Sequence, residues 1–139
     1  MTVKQVKIPY HDGRGDYGSD VSGANGLSCK VFLLSCYELG YTANDNRYVP
    51  VNGAKLDYFE SGSSVSADKR RIANLNGSAV MWWTRSPYKK DDKKVWSIDD
   101  AGVPFQYDTL TYSHGIRPAL ILPFTAKFDK DTKILKEMI

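Results

Sequence analysis

WWTRSP (residues 82–87), VWSI (95–98) and GIRPAL (115–120) are the three stretches of this sequence that decide its fold. They are short, rich in branched and aromatic residues, and bounded by polar turns, which is typical of β-strands. The strands predicted in this half of the chain are 79–84, 95–98, 103–107 and 116–122. The second half of the chain is therefore predicted to be mostly β.

The connections between these strands are also predicted from composition. Residues 99–102 (DDAG) have the length and composition of a hairpin turn, and the charged segment 87–94 is typical of a solvated hairpin tip. Residues 133–139 follow an Asp-Lys-Asp turn and are predicted to form a closing strand beside residues 3–8. These connections favour small antiparallel sheets.

The first half of the chain is predicted to be less regular. Residues 11–28 are crowded with Gly, Ser, Asp and Asn, which indicates a long loop. Residues 30–34 (KVFLL) are predicted to form a buried strand. Residues 66–75 (SADKRRIANL) are predicted to form a helix of about two turns, with a Ser N-cap and a stop at Asn76-Gly77.

Length and composition indicate one globular domain over residues 1–139. The chain has a mass of 15.6 kDa, 42% apolar residues and 25% charged residues, and single domains centre on roughly 100–150 residues. A formal charge of +3 is too small and too scattered for a nucleic-acid partner. The longest apolar run, residues 31–34, is far below the roughly 18 residues of a membrane span, so no membrane insertion is expected.

The residue types that carry enzyme chemistry are scarce. There is no phosphate-binding loop, no dinucleotide fingerprint and no Gly-x-Ser-x-Gly turn. Two histidines and no Cys-x-x-Cys pair exclude a usual zinc site, and the aspartates do not match a calcium-binding loop. Cys29 and Cys36 are expected to be free, buried thiols. We therefore predict no catalytic residue, no metal and no cofactor.

Four residues are predicted to be structural. Trp82 and Trp83 are adjacent, so on a strand their rings point to opposite faces; one fills the core, and the other covers a loop or lines a binding surface. Arg85 and Arg117 lie next to apolar segments, where an unpaired charge is costly. Each is expected to bind a carboxylate or backbone carbonyls.

The three opening stretches together resemble a family of C-type-lectin-fold domains of unassigned function, found in Gram-positive bacteria and their phages. Residues 30–35 and 56–59 are similar to the first half of the same family, so the resemblance covers about residues 27–123. It implies an α+β fold with a C-type lectin-like arrangement: small antiparallel sheets, two short helices and long loops. The family is distantly similar to formylglycine-generating enzymes and to variable proteins diversified by retroelements.

The resemblance implies a binding scaffold whose changeable surface lies between residues 88 and 114. The ligand-binding residues expected there are Tyr88, Asp92, Trp96, Asp99, Phe105, Tyr107, Asp108, Thr109, Tyr112 and His114. The sugar-binding loop of calcium-dependent lectins is missing, and the two cysteines lack the context of the formylglycine-generating enzymes. Neither activity is therefore expected.

Two functions remain open at this point. The first is a non-enzymatic recognition domain on a virion or extracellular surface, which binds a host surface protein or glycan. The second is a structural virion component, a capsid decoration or tail domain, whose surface contacts neighbouring subunits and which is compatible with a homo-oligomer. Alternation places Phe105, Tyr107 and Thr109 on one strand face, which is either an exposed binding face or the packed face of an edge strand.

Overall fold

The residues that the structure describes form one four-stranded sheet and five two-stranded ribbons. A computed structural model describes residues 3–12, 18–41, 48–59, 67–123, 126–128, 131–132 and 135–136. The strands are β1 (Val6–Ile8), β2 (Tyr10–His11), β3 (Asp20–Val21), β4 (Leu27–Cys29), β5 (Val31–Leu33), β6 (Ala73–Leu75), β7 (Ser78–Val80), β8 (Trp82–Pro87), β9 (Lys94–Ile98), β10 (Pro104–Asp108), β11 (Gly115–Ile116), β12 (Pro118–Leu120), β13 (Lys127–Phe128) and β14 (Leu135–Lys136).

The four-stranded sheet has the strand order β10-β9-β8-β11. β8, β9 and β10 are antiparallel, whereas β11 runs parallel to β8. The Asp99 carboxylate accepts the backbone N–H groups of Ala101 at 3.0 Å and Val103 at 2.7 Å, which fixes the β9–β10 turn. The predicted hairpin connections on both sides of β9 are therefore confirmed.

The remaining strands pair in twos: β1 with β4, β2 with β3, β5 with β12, β6 with β7, and β13 with β14. The predicted pairing of residues 133–139 with residues 3–8 is wrong for the two described residues of that segment, because β14 pairs with β13 while β1 pairs with β4. Residues 133, 134 and 137–139 lie outside the described residues, as do residues 13–17 of the predicted loop 11–28. The described part of that loop contains β3 and a 3-10 helix at Gly23–Asn25.

The predicted α+β class is wrong, because the described residues are mainly β and contain no α-helix. Their helical turns are of the 3-10 type, at Gly23–Asn25 and Lys69–Arg71. In place of the helix predicted over residues 66–75, β6 and β7 form a hairpin. Its turn is Asn76-Gly77, with φ of 52° and 84°; an Asn-Gly pair at positive φ is the usual two-residue hairpin turn, and here it outweighs helix propensity.

The predicted strand at residues 30–34 is present as β5, but the prediction that it is buried is wrong, because residues 30 and 31 are exposed and residues 32–34 are half-buried. β5 pairs only with β12 among the described strands, with Val31 opposite Leu120 and Phe32 opposite Ala119. Val31 and Leu120 are both exposed. A two-stranded ribbon has two faces, and here only one of them packs against the rest of the domain. The face that carries Val31 and Leu120 stays in contact with solvent.

Two hydrophobic clusters form the core. The first contains Leu39, Phe59, Trp82 and Ile98. The second contains Cys36, Tyr41, Val49 and Trp96, with Tyr48 and Tyr88 packed against it. In both clusters, side chains from the inner side of β8 or β9 contact side chains from the segments 36–41 and 48–59. These contacts hold the two segments against the inner face of the sheet.

A break in register divides β8 into two halves. Trp83 is opposite Ser97, but the next pair is Pro87 opposite Val95, so extra residues of β8 bulge out between them. Thr84 and Ser86, both in the bulge, are buried, and their hydroxyls are used: Thr84 donates to the carbonyl of Trp96 at 2.7 Å, and Ser86 accepts the N–H of Cys36 at 2.9 Å. The bulge joins the sheet to the 35–41 turn.

Candidate functional site

A buried ion pair between Arg85 and Glu38 supports the strand that carries the candidate site. The Arg85 guanidinium donates to both carboxylate oxygens of Glu38, at 2.5 and 2.7 Å, and the two side chains are only 9% and 10% exposed. Arg85 also donates to the carbonyls of Pro9 and Leu33, and Glu38 accepts the N–H of Ser35. These are the carboxylate and carbonyl partners that the sequence predicts for Arg85.

Arg117 has a different set of partners. Its Nη1 donates to the carbonyl of Arg71 at 3.1 Å, and its guanidinium lies 5.0 Å from the centre of the Trp82 ring. The Trp82 indole N–H donates to the same carbonyl at 3.0 Å. Trp82 is therefore the core indole of the pair, and Arg117 is held by one carbonyl and a cation–π contact.

The outer face of the four-stranded sheet carries a row of apolar and aromatic side chains. Strand register places Ile116, Trp83, Ser97 and Phe105 side by side across β11, β8, β9 and β10. Tyr107 lies two residues beyond Phe105, on the same face of β10. Alternation thus sends Trp82 inward and Trp83 outward.

Five rings on this outer face are in mutual contact, and together they are called the aromatic surface: Trp83, Phe105, Tyr107, Tyr112 and His114. The His114 ring stacks on Trp83 with centres 4.3 Å apart, and Tyr107 meets His114 edge to face at 4.7 Å. Tyr107 also contacts Phe105 at 5.2 Å and Tyr112 at 5.0 Å. The segment after β10 therefore folds back over the sheet and completes the surface.

The aromatic surface is open to solvent at its edges. Phe105 is 48% exposed and Tyr112 is 50% exposed, while Tyr107 and Trp83 are half-buried beneath them. Ile116, at the end of the same row, is 66% exposed. Ser97 lies fully buried under the rings. Tyr107 is therefore on a half-exposed face, not on a packed core face.

His114 has an unused hydrogen-bonding group. Its Nδ1 atom is buried and has no hydrogen-bond partner among the described residues. Burial lowers the pKa of His114, because desolvation disfavours the charged imidazolium. At neutral pH the ring is therefore uncharged, and it stacks on Trp83 as an aromatic group.

Two of the predicted binding residues belong to the core instead. Trp96 is buried, and its indole N–H donates to the carbonyl of Tyr48 at 3.0 Å. Tyr88 packs against Trp96 at 5.8 Å and stacks with Tyr48 at 6.0 Å. Because the segment around residue 48 covers these two rings, they are not part of the aromatic surface.

The four polar residues predicted for the site have structural partners or lie apart. The Asp99 carboxylate fixes the β9–β10 turn, and the Asp108 carboxylate accepts the N–H of Leu110 at 2.8 Å. Thr109 bonds to the carbonyl of Lys93 through both its N–H and its hydroxyl. Asp92 is exposed in the loop between β8 and β9. These residues shape the loops beside the aromatic surface.

One member of the aromatic surface, Trp83, was left open by the sequence between a loop cover and a binding surface. Trp83 packs beneath His114 and links the β8 row to the rings of β10. The signal for it is the alternation of WWTRSP: once Trp82 is taken as the core ring, Trp83 shares the outer face with its neighbours on β9 and β10.

Among the residues that the structure describes, neither cysteine has a reactive partner. Both are free, but only Cys36 is buried, while Cys29 is half-buried. Burial raises the pKa of the Cys36 thiol to about 12, and the hydrogen bond between Cys36 and Thr84 opposes this only in part. A thiol held in this way is a poor nucleophile. Within the described residues, no three His, Cys, Asp or Glu side chains are grouped to hold a metal ion.

Together these features define a mainly β domain with two hydrophobic clusters on one side of its sheet and a half-exposed aromatic surface on the other. The chain belongs to the family described as a domain of unknown function (DUF6273), which matches residues 1–124. No curated protein and no solved structure matches the chain. Across the described ranges, no helix is long and apolar enough to cross a membrane. The likeness to C-type-lectin-fold domains stays a prediction.

Proposed function

We propose that this chain is a non-enzymatic recognition domain that binds its partner through the aromatic surface. The observation that carries the proposal is the contact network of five rings on the outer face of the sheet, which remains about half exposed at Phe105 and Tyr112. Monomeric proteins rarely leave a contiguous apolar patch uncovered, and such patches mark interaction sites.

The chemistry of the surface suits recognition. Tyrosine and tryptophan give a large, rigid contact area at low entropy cost, and they are enriched among the residues that dominate binding energy. Tyr107 is held by ring contacts on three sides, to Phe105, Tyr112 and His114. A partner therefore meets rings that are already in place.

The resemblance of residues 82–87 and 115–120 to C-type-lectin-fold domains of bacteria and phages supports a proposal for where the domain is displayed and what it binds. On that basis the domain is displayed on a virion or another extracellular surface, and its partner is a host surface protein or glycan. An aromatic surface with phenol hydroxyls at its edge is compatible with either class, because it offers both apolar area and polar tips.

A second function, a structural virion component, is favoured by one observation. Ile116 is 66% exposed and extends the Trp83 row, and Leu110 is 84% exposed near Tyr112. Solvent-exposed aliphatic side chains of this kind are typical of contacts between subunits. Sedimentation tests this function directly: a concentration-dependent oligomer that dissociates on Ile116→Ser supports the structural component, and a stable monomer supports recognition.

The test of recognition uses the double variant Tyr107→Ala/Tyr112→Ala. The labelled wild-type domain is measured for binding to Gram-positive cells and to a glycan array, and the double variant should lose at least about tenfold in affinity. Tyr58→Ala is the matched control, because Tyr58 is exposed but lies outside the aromatic surface. Binding that survives the double variant, or that Tyr58→Ala removes equally, contradicts the proposal.

A further inference from the structure

An apolar cleft lies apart from the aromatic surface. Its volume is about 410 Å³, and its walls come from β1, β5, β12 and the segment 53–56. The apolar part of its lining includes Phe32, Leu34, Leu56, Ala119 and Ile121. Small-molecule sites are typically roughly 300–1,000 Å³, mostly apolar, with a few placed polar groups. The cleft fits this description, and it shares no residue with the aromatic surface.

The floor of the cleft is electrically neutral. Glu38 lines it, but both carboxylate oxygens accept from Arg85, and one also accepts the N–H of Ser35. Gly53 packs directly on this pair: a side-chain carbon at position 53 would collide with the Glu38 carboxylate. The carboxylate therefore presents no free negative charge to an occupant of the cleft.

The walls are held in place before any ligand arrives. The guanidinium of Arg85 donates to the carbonyls of Pro9 and Leu33, and the Arg85 N–H donates to the carbonyl of Leu34 at 3.0 Å. One buried ion pair thus ties together the β1 side, the β5 side and the floor. A preformed cleft costs little to organise when it is filled.

The remaining charge in the lining belongs to Lys7. Its side chain is exposed, and among the described residues no hydrogen bond or ion pair holds its ammonium group. Leu120 and Ile121, which also line the cleft, are exposed beside it. The cleft therefore combines apolar walls with one unneutralised positive charge.

We propose that this cleft binds an aliphatic carboxylate. The hydrocarbon chain lies against the apolar walls, where removal from water is favourable, and the carboxylate lies at the ammonium group of Lys7. A cationic ligand would be repelled by the ammonium group of Lys7, and a neutral aliphatic chain would form no ion pair with it. The proposal does not rest on the proposed function, because the two sites have separate residues.

Octanoate and the neutral octanol are the probes. Calorimetry should show saturable binding of octanoate, with octanol at least about threefold weaker, as expected for an exposed ion pair. In a spectrum of the alanine methyl groups, octanoate should shift Ala54 and Ala119, which line the cleft, and leave Ala79 and Ala101 unchanged. These two arms use the wild-type chain and need no variant to fold.

Variants then locate the site. Ala54→Leu narrows the cleft from an exposed position and should weaken octanoate about tenfold, and Lys7→Gln should remove the preference for octanoate over octanol. Ala79→Leu and Lys93→Gln, both exposed outside the cleft, are the controls. The proposal is overturned by absence of saturable octanoate binding, by methyl shifts at Ala79 or Ala101 instead, or by an octanoate preference that survives Lys7→Gln.

Discussion

Arg85 and Trp83 lie two residues apart on β8, yet Arg85 is surrounded by buried hydrogen-bonding partners and Trp83 by half-exposed rings. The Arg85 guanidinium and the Glu38 carboxylate are buried and bonded to each other and to backbone groups on three segments. Around Trp83, half-exposed rings contact one another, and Nδ1 of His114 has no hydrogen-bond partner among the described residues. Folding satisfies the polar groups of the first region, whereas the second region keeps exposed ring surface that a partner can cover.

This difference separates stability from binding within one strand. A buried charge whose partner is removed is costly, so the Arg85 region is expected to control the free energy of unfolding. Truncation of a half-exposed ring lowers the free energy of unfolding only slightly, but it removes area that would contact a partner. Substitutions in the Arg85 region should therefore mainly lower stability, and substitutions in the aromatic surface should mainly weaken binding.

The largest effect is expected from breaking the ion pair. Glu38→Leu leaves the Arg85 charge buried without its carboxylate and should lower the free energy of unfolding by about 3–5 kcal/mol, measured by urea denaturation. Asp91→Asn is the control, since it breaks the exposed Lys94–Asp91 pair at 3.6 Å and should cost less than about 1 kcal/mol. Similar losses for both variants would show that the buried pair contributes no more to stability than an exposed one.

The adjacent indoles give the next largest contrast. Trp82→Ala empties a core position and leaves the Arg71 carbonyl with one donor fewer, so it should cost about 3–5 kcal/mol. Trp83→Ala removes a half-buried ring and should cost about 1 kcal/mol while reducing partner binding. The measurement is urea denaturation of both variants; equal losses would show that Trp83 is also a core residue.

The smallest effect concerns His114. Because burial lowers the pKa of His114 below the ordinary histidine value of 6.5, the unfolded chain binds more protons between the two pKa values. The contribution of neutral His114 to stability is therefore fully present above pH 6.5 and is lost as pH falls through the folded pKa. An NMR titration should give His114 a pKa below 6.5, and His114→Gln should remove this part of the pH dependence; a value at or above 6.5 contradicts the burial of the ring.

Much of the aromatic surface was predictable from local pattern and the family resemblance. Alternation along residues 105–109 placed Phe105 and Tyr107 on one face, and the family resemblance included Tyr112 and His114 in the expected binding interval. What local pattern does not contain is the segment that covers Trp96. The carbonyl of Tyr48 binds that indole from 48 positions away in sequence, and no periodicity shows such a contact.

The two largest misses have the same kind of cause. Asn76-Gly77 is compatible with both a helix stop and a hairpin turn, and only the pairing of β6 with β7 decides between them. Glu38 is the carboxylate partner of Arg85 across 47 positions. The sequence indicated that Arg85 needs a partner, but it did not identify which acidic residue the fold brings to it.

The central claim is that the aromatic surface serves binding and not stability, and the double variant Tyr107→Ala/Tyr112→Ala tests it most directly when its stability and its cell binding are measured on the same sample. The predicted result is a free energy of unfolding within about 2 kcal/mol of wild type, together with a loss of at least about tenfold in binding. A loss of stability as large as that of Glu38→Leu, or binding equal to wild type, would contradict the claim.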